Sequence, residues 1–288
     1  MKNINEPLKE ALAKFGWLPG QTIDIVERFA DGDASRLPEL AAELVALKPR
    51  VLFTNTSHAA TVAAKATSMI PIVVGPAGEL TLTALAGGNI VAPTTNVTGF
   101  VLIAPSIDDK VLSLLMEAVP TASRIGVLVN PDNPEQRHYP AALKGSGSVA
   151  GKMLIRIESR GLTDIDAALV KAAAEVIEAL LIPDDAYIVD ARVQHRVLAF
   201  AAEKRLPIGS SHQDYAREGA LIAMGPSIPA LATAAAGYVD KNLKGAMPRE
   251  LLVQLPTVYT VIVNLKTAKA LGFNIPSTIL RRADEVIE

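Results

Sequence analysis

Apolar positions along the chain recur in two alternating rhythms: helical spacing, and short runs of β-branched residues. Residues 8–15 form an amphipathic helical stretch that stops at Gly16, and residues 22–29 alternate as a half-buried strand does. Ser35 is placed to cap a helix whose apolar face is Leu37, Leu40, Leu44 and Leu47, with Pro38 in the first turn where a missing N–H costs little. Residues 51–54 then read as a short buried strand, Thr56 or Ser57 as the cap of a helix over 58–67, and residues 70–74 as a second apolar strand ending at Gly75-Pro-Ala-Gly78. The same theme follows in the middle third. Helices are predicted over 108–118, 139–143, 164–171 and 193–204, and strands over 124–130, 153–157, 179–182 and 207–211.

The C-terminal stretch is the most sharply written. Residues 258–263 are apolar and β-branched and suit a buried strand. Asn264 offers a cap, residues 267–271 read as helix, and Gly272 ends it. Pro276 opens a last segment that Ser277 can cap. Alternation of strand and helix from end to end predicts an α/β fold with parallel sheets and right-handed crossovers. No low-complexity linker divides the chain, so two similar halves joined by several crossing segments are expected.

Composition narrows the chemistry. The 288 residues are 50% hydrophobic, ample for a large core, and carry a formal net charge of -2, which gives no basic footprint for nucleic acid. The absence of cysteine removes disulfides, thiolate catalysis and zinc–thiolate sites. No apolar run approaches the roughly 18 residues of a membrane span, so the chain is not expected to span a membrane itself. The polar start, Met1-Lys-Asn-Ile-Asn-Glu-Pro7, lacks the apolar core of a signal peptide, so the chain reads either as a trimmed exported protein or as a cytoplasmic one.

Taken in order and spacing, several blocks resemble a known family. They are Arg36-Leu-Pro-Glu-Leu-Ala-Ala-Glu-Leu-Val45, Ala66-Thr-Ser-Met-Ile-Pro-Ile-Val73, Asn96-Val-Thr-Gly-Phe100, Val127-Leu-Val-Asn-Pro131, Tyr238-Val-Asp-Lys241 with Leu243-Lys-Gly245, and the C-terminal stretch. Together they resemble the substrate-binding proteins of ABC transporters, in particular the tryptophan- and tyrosine-type binding proteins. The resemblance implies a periplasmic-binding-protein type I fold: two Rossmann-like lobes, three crossing segments, and a small ligand such as an amino acid held in the cleft between them. It implies residues 1–102 with 226–255 for lobe 1 and 103–225 with 256–288 for lobe 2. A transporter permease is the implied partner, the periplasm the implied location, monomer or dimer the implied state, and no cofactor is called for.

In open α/β sheets, ligands bind outside the carboxyl ends of the strands, where loops enter helix N-termini. That rule selects Thr54, Asn55, Thr56 and Ser57, whose hydroxyls and free N–H groups could hold a carboxylate, although Thr and Ser also serve as ordinary caps. It also selects Gly75, Pro76 and Ala77, where small side chains let a ligand approach backbone, or which form a simple turn. In lobe 2 it selects Asn130, Asp184 with Asp185, and Ser210 with Ser211. Asp184 could pair with a ligand ammonium or could cap a helix after Pro183. Thr56, Ser57 and Asp184 head the ligand-contact set.

Two departures from the family stand out. Many relatives carry Gly-Asp-Pro where this chain reads Ala77-Gly-Glu79, and the low aromatic content, 4%, makes a small aliphatic or amide-bearing ligand as expected as an aromatic one. Relatives also begin with a strand before the helix matching 8–15. Here lobe 1 is expected to lack that strand near the middle of its sheet.

Other motifs carry less. Gly145-Ser-Gly-Ser-Val-Ala150 has dinucleotide-site spacing, but it follows a helix and leads into a strand, the reverse of what that site needs. His58, His138, His195 and His212 lack metal-ligand spacing, and neither Asp31-Gly-Asp33 nor Asp108-Asp109 completes a calcium loop. No G-x-S-x-G elbow accompanies Ser210, Ser211 and His212. The sequence therefore predicts a non-enzymatic solute-binding protein, with a cytosolic sensor or degenerate descendant lacking export as the alternative and a two-lobed enzyme as a third. Repressors of this fold carry an N-terminal helix-turn-helix, for which the residues before Leu8 are too few.

Overall fold

A computed structural model describes residues 4–30, 33–102, 107–133, 136, 139, 141, 151–185 and 187–288. The helix expected over 139–143 and the Gly145–Ala150 motif lie largely or wholly outside these residues, as does His138. The chain forms two compact units, each assembled from separated stretches: Lys2–Ala104 with Pro226–Val258, and Pro105–Gly225 with Tyr259–Glu288.

The first unit is built on a parallel three-stranded sheet of β1 (Leu52–Thr54), β2 (Ile72–Ala77) and β3 (Val97–Val101), in that order. Strand β2 is central and buried along its whole length, which explains why its sequence is continuously apolar rather than alternating. Its Val73 faces a cluster with α1 (Asn5–Lys14) and α9 (Ile228–Leu243), where Leu8, Leu12, Ala235 and Val239 meet Phe100 and Tyr238, rings 4.8 Å apart. Ile72 and Val74 face the opposite layer, where Ala60 and Ala63 of α3 (Ser57–Ala66) and Leu82 of α4 (Glu79–Leu85) are buried. Helix α2 (Leu37–Ala46) differs from the rest: none of its residues is fully buried, and Leu47, expected on its apolar face, is 57% exposed.

Three local expectations are corrected. Residues 22–29 keep the exposure pattern of a strand, Ile23, Ile25 and Glu27 being half-buried, but among the described residues they pair with nothing beyond an isolated bridge between Pro19 and Ile23. Alternation defines a face; a strand also needs a neighbour. Ser35 does not cap α2; its N–H and hydroxyl both bond to Asp33, at 3.0 and 2.6 Å, within a short 3-10 turn. Gly75, Pro76 and Ala77 belong to β2 rather than to a turn after it. The register shifts between Val74↔Gly99 and Ala77↔Val101, a bulge that accommodates a proline without an N–H to donate.

The second unit carries a seven-stranded sheet in the order β10-β9-β8-β7-β6-β4-β5. These strands are β4 (Arg124–Val129), β5 (Met153–Glu158), β6 (Ala179–Ile182), β7 (Ile208–Ser210), β8 (Ile222–Pro226), β9 (Tyr259–Asn264) and β10 (Glu285–Ile287). Pairing is parallel, as in Gly126↔Leu180 and Leu181↔Gly209. One side packs on α5 (Ile107–Ala118), which buries Val111, Leu112, Leu114 and Leu115. The other packs on α6 (Ile165–Ala174), α7 (Ala191–Lys204) and Tyr215 of α8 (Gln213–Glu218). In the C-terminal stretch Asn264 accepts from Thr267 N–H at 2.9 Å and caps α10 (Leu265–Leu271), and Gly272 ends it at φ +82°. Ser277 makes no capping bond at the start of α11 (Ser277–Leu280); Pro276 stands at that position. Among the described residues, no helix is long and apolar enough to cross a membrane.

Candidate functional site

The residues selected by the strand-end rule fall into one group per unit. In the first unit, Thr54 closes β1, and its buried hydroxyl has no hydrogen-bond partner among the described residues. Asn55 follows, half-buried, and Thr56 is the N-cap of α3, accepting from Ala59 N–H at 3.1 Å. Ser57 opens that helix, and its hydroxyl accepts from Gly78 N–H at 2.9 Å, tying the β1–α3 turn to the end of β2. Capping meets the Ala59 donor; the N–H groups of Ser57 and His58 bond to no described residue, as is usual for a helix start, and can serve an anion. Gly75, Pro76 and Ala77 are buried within β2, so Gly78 is the first half-buried backbone there. Gly75 also has a packing role: a Cβ there would lie 2.2 Å from the Phe53 ring.

In the second unit the structure joins Asn130 and the Asp184–Asp185 pair, with a sharp difference between the two carboxylates. Asp185 is 7% exposed, whereas Asp184 is half-buried and its carbonyl accepts from Gln136 at 2.8 Å. Asn130 donates to both carboxylate oxygens of Asp185 at 3.2 Å, Asn133 donates at 2.7 Å, and Tyr187 N–H at 3.2 Å. Gln136 also accepts from Asn130 N–H at 2.7 Å, so a single glutamine pins the ends of both loops. All of Asp185's donors are neutral, and it makes no ion pair with a described residue. Neither aspartate caps a helix; Asp190 caps α7, and its bond to Arg192 lowers its pKa to about 2.

Ser210 and Ser211 are buried at the end of β7. Ser210 is spent on structure, donating to the Ile182 carbonyl and accepting from His212 N–H. Ser211 donates to Asp108, a fully buried carboxyl that also accepts from the Tyr139 hydroxyl at 2.7 Å. Burial pushes the Asp108 pKa up, the two hydroxyl donors work against that, and neighbouring Asp109 adds to it. His212 is kept toward its neutral form by burial, and its Nδ1 has no partner among the described residues. Asp185 was selected together with Asp184, though Asp184 headed the contact set; Asn133, Gln136 and Asp108 were not selected. The positions of these three depend on contacts between loops distant in sequence, which no local pattern records. Among the described residues no cluster of three metal-ligating side chains occurs.

Two units of parallel α/β architecture, each with polar loops at the carboxyl ends of its strands, define the class of a type I periplasmic-binding-protein fold. The comparisons agree. A crystal structure of a conserved domain protein from Vibrio cholerae matches with TM-score 0.87 at 24% identity, covering 98% of this chain and 94% of that one. A Streptococcus pneumoniae ABC domain in complex with L-Trp matches with TM-score 0.88 at 22% identity, covering 99% and 94%. In sequence, a tyrosine-binding protein of Clostridioides difficile is 25% identical over 271 residues, 91% of this chain and 74% of that protein. The family model described as ABC transporter substrate binding protein matches residues 1–287, and the chain belongs to that family. It is thus a solute-binding component of an ABC-type transporter, from a family of binding proteins whose partners are a small ligand and a membrane permease.

Proposed function

We propose that this protein binds a free amino acid or close relative, with separate anchors for its two charged ends. The observation that carries the reading is Asp185: a buried carboxylate that, among the described residues, is supplied with neutral donors and no cation. A buried charge lacking a counter-ion is costly, and a ligand ammonium supplies one through charge-assisted hydrogen bonds. The carboxylate is assigned to the start of α3, where Thr56, Ser57 and the N–H groups of Ser57 and His58 favour negative charge. Thr54, Asn55 and Gly78 flank that anchor; Asn130 positions Asp185; Ser211 and Asp108 lie on the same strand-end face of the second unit. Asp184 is assigned a supporting place beside Asp185. Gly75, Pro76 and Ala77 shape the anchor from within β2, and Ser210 holds the β7 turn.

The tyrosine-binding relative supports an amino acid as the ligand class. In this reading the protein binds and releases without a chemical step, hands its ligand to a permease as a monomer or dimer, has no role with nucleic acid, and works in the periplasm. A thermal-shift screen against the amino acids tests it. A ligand at 100 times its dissociation constant should stabilise the fold by about 2.7 kcal/mol. Stabilisation by carboxylic acids lacking an amine, with none from any amino acid, would sink the reading.

A further inference from the structure

Two buried carboxyl groups stand at the strand-end face of the second unit, and the ligand assignment uses only one of them. Asp108, in the first turn of α5, is 5% exposed. Its carboxyl accepts from the Ser211 hydroxyl and, at 2.7 Å, from the Tyr139 hydroxyl. Both donors are neutral, and Asp108 makes no ion pair with a described residue. Asp185 is held in the same manner, by Asn130, Asn133 and the Tyr187 N–H.

Hydrogen bonds join the two groups along two separate routes. On one, Tyr139 N–H donates to the Gln136 carbonyl at 2.9 Å. The Gln136 side chain accepts from Asn130 N–H and donates to the Asp184 carbonyl, and the Asn130 amide reaches Asp185. On the other, Ser211 N–H donates to the Ile182 carbonyl at 3.0 Å. Ile182 is the last residue of β6, and the chain runs from it through Pro183 and Asp184 to Asp185. The carboxyls of Asp108 and Asp185 are therefore members of one closed ring of bonded loops.

Given the ligand assignment above, we propose that amino-acid binding is proton-linked: Asp108 holds a proton in the empty protein and releases it as the ligand ammonium settles on Asp185. The proton passes to solvent, so the charge of this face is unchanged by the exchange of proton for ammonium. In the empty protein, charging Asp108 sets a second carboxylate into a buried ring without a cation. Burial opposes that first, and neighbouring Asp109 adds to it. An ammonium on Asp185 favours the charged form, and the Ser211 and Tyr139 hydroxyls are already placed to donate to it. Other titratable groups around the ring are accounted for. Lys110 of α5 lies 5.5 Å from the Tyr259 ring of β9, and His212 is kept toward neutrality by burial. On α8, Asp214 pairs with Arg217 at 3.0 Å, and Arg282 pairs with Glu117 at the far end of α5. The coupling is reciprocal: ionisation of Asp108 tightens the ligand by the factor by which the ligand strengthens the acid. Affinity therefore rises with pH through the range in which Asp108 titrates.

The test is calorimetric titration of the full chain with whichever common amino acid binds it most tightly, from about pH 4 to pH 8. Buffers of different ionisation enthalpy count the protons exchanged. The wild type is expected to release up to about one proton per ligand within this range. It should also bind about fivefold or more tightly at the top of the range than at the bottom. Asp108→Asn, which has no proton to lose, is expected to release none and to bind with an affinity that does not change with pH. Tyr139→Phe takes one donor from the charged carboxyl and should move the rise in affinity to higher pH. A purely structural role for Tyr139 lowers affinity equally at every pH. Binding by the wild type at constant affinity with no proton released overturns the proposal and leaves the ligand assignment standing. Release that persists in Asp108→Asn also overturns it, by placing the proton on His212 or another group. Failure of every amino acid to bind removes both.

Discussion

Asn130 donates its side-chain amide to both carboxylate oxygens of Asp185, 3.2 Å to each, from a loop 55 residues away in sequence. Amide donors stabilise an anion but leave its charge uncancelled. In the proposed reading the pair is a prepared half of an ion pair, completed by the ligand ammonium. Replacing the carboxylate, Asp185→Asn, should weaken amino-acid binding by about tenfold to a hundredfold, the equivalent of about 1.5–3 kcal/mol for a hydrogen bond to a charged group. Asp184→Asn should change it much less. Isothermal titration calorimetry of the two variants checks this, and equal losses would move the anchor to the wrong side of the pair.

Asp108 makes stability depend on pH in a direction opposite to most carboxylates. Burial raises its folded-state pKa above the unfolded value of 3.8. Its contribution is therefore fully present below the unfolded pKa and is lost as pH rises through the folded one. Asp108→Asn cannot ionise. Relative to the wild type, it should gain stability progressively as pH is raised from 3 to 7. Melting curves across that window give the difference directly; a gap that does not change with pH would show that Asp108 keeps an ordinary pKa.

Gly99 lies in β3 at φ +148°, and a Cβ there would sit 2.1 Å from the Val74 carbonyl oxygen. The obstacle is backbone of the neighbouring strand and cannot swing aside. Gly99→Ala combines backbone strain with overpacking, each of about 1–3 kcal/mol. A loss of about 3 kcal/mol or more is expected in urea unfolding of the first unit, and less than 1 kcal/mol would place the β2–β3 contact elsewhere.

Asn264 acts at two ends. Its oxygen caps α10 at 2.9 Å, and its amide donates to the Ala216 carbonyl at 2.9 Å, while the residue is only 4% exposed. Asn264→Ala loses the cap, about 1 kcal/mol, and leaves a buried carbonyl unpaired, about 1–3 kcal/mol more. Asn264→Asp should restore the cap alone and recover part of the loss, measured by the same unfolding experiment.

What was legible in the sequence was what neighbouring residues decide. Asn264 and Gly272 act within four residues of the helix they bound, and both ends of α10 follow from them. Residues 22–29 showed the correct alternation, but whether a strand forms depends on a partner edge that no local pattern records. Gly75 and Pro76 punctuate the chain as a turn would; in β2 they mark a bulge, which uses the same residues for the same reason. Asp184 and Asp185 are chemically alike in sequence, and only the Asn130 and Asn133 loop decides which is buried. Asp108 opens the predicted helix over 108–118 and nothing local marks it for burial, because Ser211, which donates to it, is 103 residues away.

Each unit draws its last essential pieces from late in the chain. Leu8, Leu12, Val73 and Phe100 are covered by Ala232, Ala235 and Tyr238 of α9, and β9 and β10 come from the final 30 residues. During synthesis the first hundred residues therefore leave the ribosome with an apolar face that nothing yet made can cover. Neither unit can finish before the other has begun, so folding waits on translation of almost the whole chain, and the protein's exposure to chaperones and proteases is set by the time that takes.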